Sequence, residues 1–148
     1  MAEKANELHP DDCNAPCLLG MIYDSLGNKE KQKESLLRGL DAIEKQMKMF
    51  PDDARILYLG GAISIRLGKN KQGLKWAELA LDADPVEPMT LYGIACSFAL
   101  IGHLDRAFDC LEKATQYGRL PREWIEKDPD LDTLREHPRY IALLKTLL

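Results

Sequence analysis

Apolar side chains recur in this chain on two scales: a three-and-four spacing within stretches of about a dozen residues, and a step of 34 that repeats the stretches themselves. The short spacing is clearest at Leu91, Ile94, Ala95 and Phe98, which share one helix face. Gly102 is placed to end that helix, and Ala107, Leu111 and Ala114 open the apolar face of a partner. The long step of 34 carries Pro51 to Pro85, Leu57 to Leu91, Tyr58 to Tyr92, Gly61 to Ala95, Gly68 to Gly102 and Ala80 to Ala114. A repeat of this length predicts stacked helical hairpins, each too small to bury its apolar face without its neighbours. Small residues at the equivalent positions Gly20, Gly61 and Ala95 predict close crossings between paired helices.

From the first copy to the second the step lengthens to 41, carrying Pro10 to Pro51, Gly20 to Gly61, Leu26 to Leu67 and Gly27 to Gly68. The excess, 41 − 34 = 7, is one heptad, close to two helical turns, so the apolar face stays nearly in register. The segment from Lys29 to Phe50 is therefore predicted as an overlong helix protruding by about 10 Å, with Leu40, Ile43, Met47 and Phe50 as its extended stripe. One domain over 1–148 is expected. It comprises a remnant of a preceding repeat at 1–12, a first repeat at 13–53, a second at 54–87, a third at 88–120 and capping helices at 121–148. The remnant is read from Ala5–Asp12, which is comparable with the helix end Ala80–Pro85 and implies a fragment of a larger protein. In the tail, Pro121, Pro129 and Pro138 each suit the first turn of a helix, and Asp128 suits a cap. Trp124, Ile125, Leu131, Leu134, Tyr140, Leu143 and Leu144 are expected to cover the last repeat.

The formal charge of −4 argues against a nucleic-acid surface, which is ordinarily basic. No apolar run approaches the roughly 20 residues of a membrane span, and the first residues lack a signal-peptide core, so a cytoplasmic chain without a membrane partner is expected. Cys13, Cys17, Cys96 and Cys110 lack the paired spacing of a zinc or redox site and read as reduced packing residues.

Few residues suggest chemistry. Asp128, Asp130 and Asp132 alternate as at the start of a calcium loop, but Thr133 stands where the sharp turn needs glycine and Arg139 where a bidentate Glu belongs. Helix capping is the better reading. Gly68-Lys69-Asn70-Lys71 lacks the spacing of a phosphate loop and reads as a helix-ending turn. His9, His103 and His137 fall at turns or helix starts, without metal-ligand spacing. No Ser-His-Asp or Cys-His set is brought together by stacked hairpins. The alternating charges from Lys29 to Glu34 read as a solvated face. No cofactor, metal site or catalytic residue is therefore expected.

Three strings carry a family resemblance: Pro16-x2-Leu19-Gly20-x2-Tyr23, Leu57-x2-Gly60-Gly61-x2-Ser64 with Pro85, and Leu91-x2-Ile94-Ala95-x2-Phe98. Over residues 13–118 the pattern resembles the tetratricopeptide repeat. No copy has the signature Trp, and Gly73 and Ala77 stand where larger residues belong, which predicts thinner packing in the second pair. The tail, with Glu-Trp-Ile-Glu-Lys-Asp-Pro and Arg-Glu-His-Pro-Arg-Tyr, is similar to C-terminal repeat regions of multidomain bacterial signalling proteins. In that group such regions follow class III nucleotide cyclase or serine/threonine kinase domains.

The resemblance implies an all-α right-handed solenoid of helix pairs with C-terminal capping helices, whose first helices line a concave binding surface. The groove positions it implies are Asn14, Cys17, Met21 and Asp24; then Arg55, Tyr58, Ala62 and Ile65; then Met89, Tyr92, Cys96 and Ala99. Relatives that grip a peptide's terminal carboxylate use Lys, Arg and Asn there, and only Asn14 and Arg55 remain, so such a clamp is not expected. The set is largely apolar. It is either covered by solenoid curvature or by the tail, or it is open, with Tyr58, Tyr92, Met21 and Met89 holding a peptide, helix or domain. The expected function is non-catalytic: a scaffold or regulatory protein-binding module of a signalling protein. The alternatives are a homo-oligomerisation module, with a homodimer as partner, and a small metal-dependent enzyme.

Overall fold

The computed structural model describes residues 12–147, and the reading of 1–12 as a repeat remnant lies, but for Asp12, outside the described residues. It is an all-α repeat solenoid with no strand among the described residues. Three hairpins follow one another: α1 (Asn14–Ser25) with α2 (Lys29–Met49), α3 (Ala54–Arg66) with α4 (Asn70–Ala83), and α5 (Pro88–Leu100) with α6 (Leu104–Tyr117). The tail forms α7 (Arg122–Lys127), a 3-10 helix (Pro129–Leu134) and α8 (Pro138–Thr146).

Each hairpin turns in the same way. Gly27, Gly68 and Gly102 take φ of +70°, +79° and +79°, the left-handed conformation that side chains disfavour. The amides of Asn28, Lys69 and His103 then donate back to the carbonyls of Tyr23, Ser64 and Phe98, which closes a Schellman motif at each turn. Gly68→Ala is expected to cost about 1–2 kcal/mol in urea unfolding, because alanine must adopt a conformation its Cβ opposes. Helix starts are fixed by side chains: Asn28 accepts from the Lys31 amide, Asp53 from Arg55 and Ile56, and Glu87 from Met89 and Thr90.

The extra heptad is visible as length, since α2 has 21 residues where α4 and α6 have 14 each. Leu40 and Ile43 are buried, and Met47 joins Trp76 in touching both halves of the core. Phe50 departs from the expected stripe: it is the residue after the helix, with φ −133°, and lies 57% exposed. In both steps the second helix of a hairpin packs on the next first helix, α2 on α3 and α4 on α5, and in the second step α3 also packs on α5.

The second hairpin is not thinly packed, contrary to the expectation from Gly73 and Ala77. The helices close the space by approaching each other. A Cβ on Gly73 would lie 2.5 Å from Ile65 Cγ1 and 2.9 Å from the Gly61 carbonyl oxygen, and one on Gly61 would lie 3.0 Å from the Gly73 carbonyl oxygen. Two glycines facing each other thus replace side-chain filling with backbone proximity.

In the tail, Ile125, Leu131, Leu134, Tyr140 and Leu143 are buried and Leu144 packs against the core, but Trp124 is 51% exposed and covers little. Pro129 and Pro138 begin their helices, whereas Pro121 precedes α7 as its cap residue. Arg135 holds the segments together. It donates to the carbonyls of Glu126 and Asp128 and to the Tyr140 hydroxyl, and pairs with Asp132 at 2.7 Å. On the other side, α8 docks against α6 through Arg139, whose guanidinium reaches Glu112 and Asp109.

Candidate protein-binding groove

The tail does more than cap the last hairpin, because its 3-10 helix packs onto α5, the element that carries the third set of expected groove positions. Tyr92 donates its hydroxyl to Asp128 Oδ2 at 2.6 Å, the Cys96 thiol lies 3.7 Å from the same oxygen, and Thr133 Oγ1 donates to the Ala99 carbonyl. Arg66, at the end of α3, pairs with Asp130 Oδ2 at 2.5 Å, and both side chains are nearly buried, at 12% and 14% exposure. Leu131 and Leu134 complete the contact, each fully buried. A segment of this chain therefore covers the third set of expected groove positions on α5.

That arrangement sorts the twelve groove positions. Asn14, Met21, Arg55 and Met89 are exposed, and Cys17, Asp24, Tyr58 and Ala62 are half-buried. Ile65, Tyr92, Cys96 and Ala99 are buried and offer no surface. Tyr92 and Cys96 are closed off by the tail, with Ala99 beneath Thr133. Ile65 has turned away from the groove, its side chain lying over Gly73 of α4. The stripe on α3 continues from Ala62 by a step of four to Arg66, a groove residue that three-residue counting from Ala62 misses. The sequence signals were present: a second Arg, late in a largely apolar helix, and acidic residues in the tail to meet it.

The open part of the groove is an uneven cleft. Arg55 donates to Asn14 Oδ1 at 2.9 Å, joining α1 to α3 across it. Between the starts of α3 and α5 lies a cavity of about 580 Å³, lined in part by Arg55, Tyr58, Asp84, Glu87, Met89 and Thr90. The Tyr58 ring lies against Gly93, where an added Cβ would come within 2.7 Å of it, so its position is set by α5. Glu87 is committed to capping. Burial resists its ionisation, but the amides of Thr90 and Met89 outweigh that and hold its carboxyl below the ordinary range.

The filled part has the composition of a metal site without the freedom of one. Cys96, Asp128 and Asp130 offer ligand atoms within 4.8 Å of one another. Yet Asp128 accepts from Tyr92 and, through Oδ1, from the Asp130 amide, while Asp130 is held by the Arg66 guanidinium, a cation already in place. The cysteines are likewise unsuited to attack. Burial pushes the thiols of Cys13, Cys17 and Cys96 up and that of Cys110 to about 11, so all four are protonated at neutral pH.

Three helical hairpins packed in sequence order define a helix-pair repeat protein. A family model described as "Tetratricopeptide repeat" matches residues 17–46, which span most of α1 and α2. The first hairpin is thus similar to a family whose repeats generally mediate protein interactions and are non-catalytic. No curated protein matches the chain. No helix among the described residues is long and apolar enough to cross a membrane.

Proposed function

We propose that the chain is a non-catalytic protein-binding module whose working surface is the part of the groove not filled by its tail. One observation carries this reading: the tail occupies the α5 end, while the cleft between the starts of α3 and α5 stays open beside Tyr58, Met89 and Arg55. Tyr58 and Met89 supply apolar contact area, and Arg55 and Asn14 supply donors that fix the direction of a bound segment. The partner that fits is a peptide or helix with one large apolar anchor, held without a terminal-carboxylate clamp.

The finer reading is a scaffold or regulatory part of a larger signalling protein, supported by the resemblance of the tail residues. Four free cysteines suit a reducing compartment, which supports the cytoplasm.

The test is affinity capture with identification of bound proteins, comparing the wild type with Arg55→Ala combined with Met89→Glu. Both residues are exposed, so folding should change by no more than about 0.5 kcal/mol. A partner of this groove should be bound at least tenfold more weakly by the variant, on the order expected for losing an interface anchor. It should be retained by Lys71→Glu, on α4. Capture that is indifferent to the cleft substitutions would rule this surface out.

A further inference from the structure

Charge is unevenly placed around the open cleft. The cavity beside Tyr58 and Met89 is also lined by Asp52, Asp53, Asp84 and Glu87. Asp52 and Ala83 line it in common with a second hollow of about 300 Å³, whose other walls include Leu57, Leu79 and Asp82. Among the described residues lining the two, Arg55 is the one cation. Five carboxylates against one guanidinium leave four negative charges in excess, which equals the formal charge of the whole chain, −4. The rest of the sequence is balanced, so the net charge of the chain sits on this trough.

Helix capping accounts for only part of it. Asp53 caps α3 through Oδ1 alone, and Asp84 takes the amides of Val86 and Glu87 through Oδ1 alone. Asp53 Oδ2, Asp84 Oδ2 and the carboxylates of Asp52 and Asp82 meet no donor among the described residues. Glu87 is held ionised at neutral pH by the amides it caps. Arg55 relieves little of this, because its guanidinium reaches Asn14 of α1 and forms no ion pair among the described residues.

The apolar walls and the carboxylates together define what fits. Tyr58 and Met89 give one large apolar side chain a contact surface, and Leu79, 42% exposed, gives another in the adjoining hollow. An acidic or carboxylate-ended segment entering between them would meet uncompensated negative charge. A lysine or arginine would instead supply the donors that the rim oxygens lack. Resting on the reading of the cleft as the working surface, we propose that its partner is a cationic peptide. One apolar side chain of that peptide lies against Tyr58 and Met89, and a neighbouring lysine or arginine lies on the rim of Asp52, Asp53 and Asp84. The polarity is the reverse of a terminal-carboxylate clamp.

Selection of displayed random peptides on the full chain, followed by fluorescence anisotropy of the synthetic peptides it yields, tests this. The peptides should carry lysine or arginine beside a large apolar residue, and their affinity should fall about tenfold between about 0.05 and 0.3 M salt. Asp52→Asn, Asp53→Asn and Asp84→Asn together should weaken them about tenfold at low salt, because asparagine keeps the cap and the amide acceptors while three charges are lost. Glu30→Gln with Glu44→Gln, exposed on α2, should bind them as the wild type does. Met89→Gln should weaken them at unchanged charge, and calcium at about 1 mM and fixed ionic strength should leave them bound. Uncharged or acidic peptides that are lost with Met89→Gln but kept by the asparagine variant would overturn the cationic assignment and leave the cleft reading standing. Peptides indifferent to both variants, or no selected peptide at all, would overturn both. Cationic peptides whose affinity ignores salt, or which calcium displaces, would overturn the assignment alone, the second result giving the carboxylates to a metal.

Discussion

Arg66→Ala is expected to lose about 3–5 kcal/mol of unfolding free energy, the cost of leaving a buried charge without its partner. Asp130 stays enclosed by Leu131 and the tail whether or not the guanidinium is present, and no other ion pair to it occurs among the described residues. The pair itself is a different quantity. Arg66→Met combined with Asp130→Leu should come close to wild-type stability, because desolvating both charges offsets much of their attraction. The pH dependence separates the two cases. Burial is the main influence on Asp130 and raises its carboxyl above the ordinary 3.8, while Arg66 pulls it down. A carboxyl raised in the folded state contributes most below its unfolded value, and the contribution is lost as pH rises through the folded value. Removing Arg66 raises that folded value further. The deficit of Arg66→Ala should therefore be largest near neutrality and shrink as the pH falls toward 4, measured by urea unfolding at each pH.

Gly73→Leu should be the other severe substitution, costing about 3 kcal/mol, at the top of the range for overpacking. The first added carbon already meets Ile65 at 2.5 Å and the Gly61 carbonyl oxygen at 2.9 Å, and the second of these is backbone. Ile65 can change rotamer, but the carbonyl moves only if α3 moves. Even Gly73→Ala should destabilise, although alanine in an exposed helix interior gains up to about 1 kcal/mol over glycine. A thermal melt of the two variants checks both size and sign.

The architecture was legible because it is written twice over. Helix faces follow from the short apolar spacing, and the arrangement of hairpins follows from the 34-residue step, with Gly27, Gly68 and Gly102 turning up at positive φ where the pattern ended each first helix. The heptad insertion was equally readable, since its length appears whole in α2. The groove was harder. Counting along α3 assigned Ile65 where the stripe passes through Arg66, because the steps of three and four that build a helix face leave the last position ambiguous by one residue. Covering of Tyr92 and Cys96 depended on where the tail folds back. The tail's apolar residues show that it must bury something, but Leu131 and Leu134 could have covered either side of the third hairpin. The choice rests on the Arg66–Asp130 pair, 64 residues apart and outside any periodic pattern. Gly73 misled for a related reason: a missing side chain permits either a gap or an approach, and only the facing Gly61 decides which.

The account rests on the tail lying in the groove of its own last hairpin. Nuclear Overhauser contacts in the full chain at neutral pH test this most directly. The prediction is cross-peaks from Leu131 and Thr133 to Tyr92, Cys96 and Ala99. Their absence, with residues 128–134 tumbling independently of α5, would contradict it.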